Sequence, residues 1–208
     1  MRKIKAKIIN LECNNIFSLS EACKKAGYKT SIINSYNKKE SDNTDILFLP
    51  GVGAFNQAMK VIKKKNLDEL IYKHVVKKRT LVGICLGMQL LFSTSTEFKL
   101  SKGLELIKGE VKKIKKEKDI HFPHIGWRKI NTENNSSFWK TTNKNFFYFI
   151  HSYYCNPKNR NLVTSNVNYG SQKICSSIQS SNIIGTQFHP EKSGSEGIKF
   201  LKKLKRFV

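Results

Sequence analysis

Short apolar segments alternate with amphipathic segments through the first half of this chain. Residues 5–10, 30–33 and 45–49 have the composition of short strands, and the third of them is a continuous apolar run. Another apolar run begins at Thr80 and ends at Cys85. Strands that alternate with helices are typical of a parallel sheet covered by helices.

Helical periodicity occupies the intervals between these strands. Apolar residues recur at helical spacing over 16–26, where Gly27 can end the helix. Two lysine-rich helices are predicted at 55–64 and 67–78, and a last helix at 198–207. The pattern therefore predicts helices both before and after the apolar run that ends at Cys85.

The pattern changes after Phe92. Strands separated by Gly, Asn and Ser turns are predicted at 111–115, 124–130, 146–155, 162–168 and 172–180. A final core strand is predicted at 183–187, and the polar segment 131–145 is expected to be a mobile loop. The fold class is therefore α/β, with a mostly parallel central sheet, helices on both faces and an added antiparallel region.

Length and apolar content bound the organisation of the chain. Its 208 residues, 39% of them hydrophobic, fit one domain over 1–208. No apolar run approaches the roughly 18 residues of a membrane span, and the basic start lacks a secretory core. Five cysteines without paired spacing favour a reducing cytoplasm, one working thiol and no bound metal or cofactor.

The net charge raises a competing hypothesis. Lysine and arginine outnumber aspartate and glutamate by 38 to 15, which gives a formal charge of +23. Such a protein can bind phosphate backbones through counterion release. The competing hypothesis is therefore a nucleic-acid-binding module in which any catalytic site is vestigial. However, lysines are spread along the chain, and arginine, the better bidentate ligand, is sparse. We predict a solvated lysine surface and no nucleic-acid partner, although the charge can attract anions or an acidic protein.

The apolar run at Thr80 leads into a cysteine between two glycines. Gly83, Cys85 and Gly87 have the spacing of a nucleophile elbow, in which a strand turns sharply into a helix. A helix that begins after Cys85 would favour its thiolate. The alternative is that Cys85 is a small buried apolar residue, as free cysteines often are.

A second segment offers a base for this cysteine. The core strand at 183–187 leads to His189 and Glu191, which are two residues apart and face the same way in an extended backbone. A histidine oriented by a carboxylate can activate a thiol. In addition, the segment 50–53 (Pro-Gly-Val-Gly) can direct backbone N–H groups, with that of Leu86, towards an oxyanion. An ordinary type II turn is the alternative for 50–53.

These motifs have a family resemblance. The segments 49–55, 83–89 and 187–191 resemble, in this order, the three signatures of triad-type (class I) glutamine amidotransferases. The segments 124–127 and 149–153 and the pair Lys192-Ser193 resemble the glutaminase subunits of imidazole glycerol phosphate synthases. The resemblance extends over almost the whole chain and implies the flavodoxin-like fold of that class.

The resemblance implies hydrolysis of the glutamine side-chain amide. Cys85 would be the nucleophile, His189 the general base and acid, and Glu191 the group that orients His189. By similarity, the remaining site residues fall into two sets. The oxyanion set is Gly51, Val52 and Leu86, and the glutamine-binding set is Gly53, Gln89, Ser152 and Tyr153.

The resemblance also implies a partner. Such subunits pass ammonia to a (β/α)₈-barrel cyclase, which makes imidazole glycerol phosphate and aminoimidazole carboxamide ribonucleotide in histidine biosynthesis. Trp127, Lys192 and Ser193 resemble positions at the interface of that heterodimer. The alternatives are that Trp127 is a core residue and Lys192 a solvated charge.

Two departures from the family pattern leave open which pathway receives the ammonia. Residues 11–15 read Leu-Glu-Cys-Asn-Asn where the family usually has Asp-Tyr-Gly-x-Gly-Asn, and Arg128 stands where asparagine is usual. A paralogous glutaminase that supplies ammonia for amidation of a surface-polysaccharide sugar is therefore an alternative. A cysteine peptidase or chaperone on the same elbow is disfavoured, because residues 189–193 match the amidotransferase pattern.

Overall fold

The computed structural model describes residues 2–12, 15–37, 43–118, 120–133, 139 and 145–208. The strands of this part of the chain are β1 (Lys5–Ile9), β2 (Lys29–Ile33), β3 (Ile46–Gly51), β4 (Thr80–Cys85), β5 (Phe92–Ser95), β6 (Ser101–Lys102), β7 (Ile107–Lys113), β8 (His124–Lys129), β9 (Asn131–Thr132), β10 (Phe146–His151), β11 (Tyr153–Pro157), β12 (Val163–Tyr169), β13 (Gln172–Ser180) and β14 (Ile183–Thr186). Its α-helices are α1 (Ile16–Lys25), α2 (Phe55–Lys64), α3 (Leu67–Val76), α4 (Leu86–Leu90) and α5 (Gly194–Lys203).

An eight-stranded sheet forms the centre of the molecule. Its strand order is β2-β1-β3-β4-β14-β13-β12-β9. The first five strands are parallel, in the order typical of flavodoxin-like folds, and the last three extend the sheet with antiparallel pairings. In such sheets ligands bind beyond the carboxyl ends of the parallel strands. The predicted α/β class is confirmed.

Helices cover both faces of this sheet, because each helix has one apolar side. In α2 the buried residues Phe55, Ala58, Met59 and Ile62 recur every three or four positions. With α3 they form one core cluster, while α1 and α5 belong to a second cluster. Two faces that both lie under helices explain why β3 and β4 are buried along their whole length.

Two smaller sheets lie beside the central one. A four-stranded sheet has the order β11-β7-β5-β6, and β8 pairs with β10 in a two-stranded sheet. The prediction of one strand over 146–155 is wrong, because the chain passes from one small sheet to the other at Ser152. The short strands β5, β6 and β9 were not predicted, since they lack a clear alternation of apolar and polar residues.

The other predicted elements agree with the structure to within a few residues at most ends, and α2 has the predicted bounds. The segment 50–53 is a turn only in its second half, because β3 continues through Gly51. Most of the predicted loop at 131–145 lies outside the described residues. No helix in the described ranges is long and apolar enough to cross a lipid bilayer.

Candidate active site

Cys85 lies at the carboxyl end of β4, on a sharp turn into α4. Its φ of 54° and ψ of −111° are unusual for a residue with a side chain, and such strain is often found at nucleophiles. Gly87 makes the turn possible, because a Cβ atom there would lie 1.6 Å from the carbonyl oxygen of Leu49. Only glycine allows β3 and α4 to approach so closely.

His189 and Glu191 lie next to Cys85, just beyond β14, the strand that neighbours β4. The expectation of an extended backbone over 189–191 is wrong at Glu191, which lies in a 3-10 turn over Pro190–Lys192. Nδ1 of His189 is 2.7 Å from Oε1 of Glu191, and the two side chains are 3% and 6% exposed. The other ring nitrogen, Nε2, is buried and has no hydrogen-bond partner in the described part of the chain. The imidazole is therefore held at Nδ1 and available at Nε2.

The ionisation of His189 reflects these neighbours. Burial disfavours the charged ring, but Cys85 and then Glu191 outweigh it and raise the pKa of His189 to about 10. The sulfur of Cys85 and the ring of His189 are thus close enough to interact strongly. A thiolate beside an imidazolium is the charge state expected of an activated cysteine nucleophile.

A cleft of about 280 Å³ opens over Cys85. Seven of the residues predicted for the site line it. They are Val52, Gly53, Cys85, Leu86, Gln89, Ser152 and Tyr153. Three sequence segments far apart in the chain therefore meet at one edge of the sheet. The cleft is large enough for an amino-acid substrate.

The three predicted oxyanion residues lie close together beside Cys85. Gly51 is the register partner of Cys85 across β3 and β4, and a Cβ atom on Gly51 would lie 3.2 Å from that of Leu86. Val52 and Leu86 line the cleft, and Gly53 has a φ of 96° that favours glycine. The backbone at 51–53 is therefore next to the sulfur.

Glu97 also lines the cleft, although no sequence pattern indicates it. Its Oε2 atom accepts a 2.7 Å hydrogen bond from the N–H of Phe55 at the start of α2. The carboxylate is thus fixed where it can bind an ammonium group. A lone glutamate in a polar segment has no motif, so only the tertiary structure identifies it.

His151 is a second lining residue that was not predicted. Its Nε2 atom is 3.0 Å from Nδ1 of His124, and its Nδ1 atom is 2.8 Å from the carbonyl oxygen of Tyr153. Burial and the neighbouring His124 lower the pKa of His151 to about 3, and burial and Arg128 lower that of His124 to about 4. The pair is therefore neutral, and Nδ1 of each ring carries the proton.

The three predicted interface residues differ in exposure. Trp127 is 49% exposed, and Lys192 is exposed with its Nζ atom 5.8 Å from the ring centre of Tyr148. Ser193 is buried, because its hydroxyl donates to the carbonyl oxygen of His189 and accepts from the N–H of Tyr148. Ser193 thus connects the surface at Tyr148 with the backbone of His189.

The two departures from the family pattern lie in different places, since Arg128 is on β8 next to Trp127 and the segment 11–15 follows β1. Arg128 is exposed, and its guanidinium donates to the carbonyl oxygen of Trp127. In the segment 11–15, Leu11 is buried and Glu12 has a φ of 65°, whereas residues 13 and 14 lie outside the described ranges. Across the described residues, no group of three or more His, Cys, Asp or Glu side chains could hold a metal ion.

Comparison with known proteins identifies the class. The family described as "Glutamine amidotransferase class-I" matches residues 7–205. The structure of PurLQS from Thermotoga maritima is similar, with a TM-score of 0.74, 18% identity and coverage of 100% of this chain and 98% of that one. A glutamine amidotransferase from the same organism has a TM-score of 0.62 at 15% identity, covering 99% and 84%. The chain belongs to the class-I glutamine amidotransferase family.

Relatives of higher sequence identity show which group of that class the chain resembles. The chain is 39% identical to "Imidazole glycerol phosphate synthase subunit hisH" of Cyanophora paradoxa, over 95% of this chain and 92% of the relative. The subunits of the same name from Aquifex aeolicus and Bacillus subtilis are 37% and 34% identical. They are covered over 95% of their length, and this chain over 96% and 97%. These three relatives thus carry the name of one subunit of imidazole glycerol phosphate synthase.

Proposed function

We propose that this chain is a glutaminase subunit that hydrolyses glutamine to glutamate and ammonia. The observation that carries the proposal is the buried His189–Glu191 pair beside Cys85, at the base of a cleft. Nucleophile, base and orienting carboxylate are the three parts of a cysteine hydrolase site. Membership of the amidotransferase class supports glutamine as the substrate.

The reaction begins at Cys85. Its thiolate attacks the amide carbon of glutamine, and the pair of electrons of the carbonyl bond moves to oxygen. Nε2 of His189 then gives a proton to the leaving nitrogen, so that ammonia departs and a thioester remains. His189 next removes a proton from water, which attacks the thioester and releases glutamate, while Glu191 stabilises the imidazolium throughout.

The other lining groups bind the charges of the substrate and the transition state. The N–H groups of Gly51, Val52 and Leu86 stabilise the oxyanion, where each donor typically contributes about 3 to 4 kcal/mol. Gly53, Gln89, Ser152 and Tyr153 hold the glutamine. We add Glu97, whose carboxylate binds the α-amino group.

The ammonia passes to a partner. The relatives carry the name of a subunit of imidazole glycerol phosphate synthase, so this chain works in a heterodimer in histidine biosynthesis. The partner is a cyclase of the (β/α)₈-barrel type, which contacts Trp127 and Lys192 and joins the ammonia to its own substrate. The described cysteines Cys23, Cys85, Cys155 and Cys175 are free, which supports a reducing, cytoplasmic setting.

Glutamate release from glutamine tests the proposal. Cys85→Ala should abolish turnover, both alone and with the cyclase and its nucleotide ligand, because the nucleophile is lost. Cys175→Ala is the matched control, since Cys175 is a buried core cysteine of β13. Full activity in Cys85→Ala would refute the mechanism.

The pathway that receives the ammonia is tested separately in cells. A histidine auxotroph that lacks its own glutaminase subunit should grow when it carries this gene with that of its cyclase. Failure to grow, with glutamate release intact in vitro, would favour the sugar-amidating alternative that the departures at 11–15 and Arg128 left open.

A further inference from the structure

Gln187 lies between the nucleophile and the substrate-binding residue Gln89. It follows β14 directly, its side chain is fully buried, and its backbone N–H donates to the carbonyl oxygen of Ser176. Its side-chain Nε2 atom is 3.6 Å from Sγ of Cys85. Although Gln187 begins the segment that carries His189 and Glu191, the mechanism above gives it no role.

The hydrogen bonds around Gln89 determine which end of the Gln187 amide faces the sulfur. Nε2 of Gln89 is 2.9 Å from the carbonyl oxygen of Tyr153, which can only accept, so this atom of Gln89 must be the donor. The same Nε2 is 3.1 Å from Oε1 of Gln187, which is therefore the acceptor. Hence the NH₂ group of Gln187 is the end that points at Cys85.

This arrangement gives the two protonation states of Cys85 different partners. As a thiol, Sγ–H can donate to the carbonyl oxygen of Ile150, which is 3.9 Å away. As a thiolate, Sγ can only accept, and the NH₂ group of Gln187 is the amide donor in contact with it. A donor that is already oriented favours the charged form of its acceptor.

We propose that Gln187 is a further catalytic residue, whose side-chain N–H donates to the Cys85 thiolate and holds it ionised and oriented before it attacks glutamine. Gln89 is the positioning residue that fixes the direction of this donor. The inference rests on the proposed glutaminase activity only for its kinetic consequence, because ionisation of the thiol can be measured without substrate.

Alkylation of Cys85 by iodoacetamide measures its ionisation. The rate, followed by mass spectrometry of the peptide that contains Cys85, rises with the thiolate fraction and gives the pKa of the thiol. Gln187→Met has a similar length but no donor, so the midpoint should move up by about one pH unit, which is a tenfold loss of thiolate at any pH well below the midpoint. At such a pH the kcat for glutamine should also fall by about tenfold, with little change in KM.

Gln179→Met is the matched control, because Gln179 lies on β13 and does not line the cleft. It should leave the alkylation midpoint unchanged. An unchanged midpoint in Gln187→Met, with the fold intact by circular dichroism, would overturn the inference. Retention of activity in Cys85→Ala would instead count against the proposed function.

The wild-type protein provides a second test if Gln187→Met does not fold. The ¹⁵N chemical shift of the Gln187 side-chain amide should change with the same midpoint as the alkylation rate, because this N–H faces the titrating sulfur. The amide resonance of Gln179 should not follow that titration. A Gln187 amide resonance that is constant through the midpoint would equally overturn the inference.

Discussion

The backbone of Cys85 concentrates strain at one residue. A φ of 54° with a ψ of −111° costs about 1 to 3 kcal/mol for a residue with a Cβ atom. The cost is tolerated because the packing of β3, β4 and α4 fixes the turn from both sides. In return, the strained turn directs the sulfur towards the cleft and His189. In a regular strand or helix, the sulfur would point into the core.

Glu191→Gln tests the orienting role of the carboxylate. The charge that stabilises the imidazolium is lost, so the pKa of His189 should fall below its value of about 10, and kcat should drop by about 10³ to 10⁴-fold. Imidazole resonances followed by NMR give the pKa, and glutamate release gives kcat. Glu196→Gln is the control, because Glu196 pairs with Lys199 at the surface. A His189 pKa that is unchanged in Glu191→Gln would contradict the assigned role.

The buried histidine pair makes the protein sensitive to acid. Both rings have folded pKa values, about 4 and about 3, below the unfolded value of 6.5. The contribution of this histidine pair to the free energy of unfolding is therefore fully present above pH 6.5. It is lost as the pH falls towards the folded pKa values. Between pH 6.5 and 5 we expect a loss of about 2 kcal/mol for each ring in the free energy of unfolding. Urea denaturation at each pH measures it.

Substitution of one ring isolates this effect. His124→Phe should roughly halve the dependence of stability on pH in this window, because one of the two titrating rings is removed. The raised pKa of His189 adds no slope there, since its contribution is complete below pH 6.5 and is lost only as the pH rises towards 10. If the slope is the same in His124→Phe, other groups govern the acid sensitivity.

At the scale of the elements, the contact between β3 and α4 holds the active site together. Gly87→Ala would drive a Cβ atom into the carbonyl group of Leu49, so it should destabilise the protein by more than about 3 kcal/mol or prevent folding. Gly53→Ala meets no atom within 4 Å and should cost only about 1 kcal/mol for its positive φ. Urea denaturation of both variants compares the two costs. Equal costs would show that backbone freedom, rather than close packing, explains Gly87.

The break between β10 and β11 has a functional consequence. Strand β10 pairs with β8 near Trp127, whereas β11 pairs with β7 in the four-stranded sheet. Ser152, between the two strands, lines the cleft together with His151 and Tyr153. One short segment therefore joins the exposed surface at Trp127 to the substrate site.

At the scale of the whole molecule, the exposed surface around Trp127 lies beside the active-site edge of the sheet. Trp127→Ala should weaken binding of the cyclase partner by about tenfold or more, because large aromatic side chains dominate protein interfaces. Val76→Ala is the control, since Val76 is 80% exposed at the end of α3, by the opposite edge of the sheet. Isothermal titration calorimetry measures both affinities. Equal affinities for the two variants would place the interface elsewhere.

The sequence by itself determined the class and the reacting groups. Short apolar runs and period-3.6 patterns predict the parallel strands and their helices, because a strand covered on both faces is apolar throughout and a helix buries one side. The spacing around Cys85, and the two-residue separation of His189 and Glu191, indicate a nucleophile and its base, since local geometry follows from local sequence.

Only the tertiary structure decided which distant residues meet. Glu97, His151 and the direction of the Gln187 amide depend on contacts between segments far apart in the chain, and no periodicity records such contacts. The sheet switch at Ser152 was missed for the same reason, because a strand that changes partners keeps the same local pattern. The chemistry of a single residue follows from its local sequence. The cleft over Cys85, in contrast, forms only when the central sheet and the smaller sheets fold against each other.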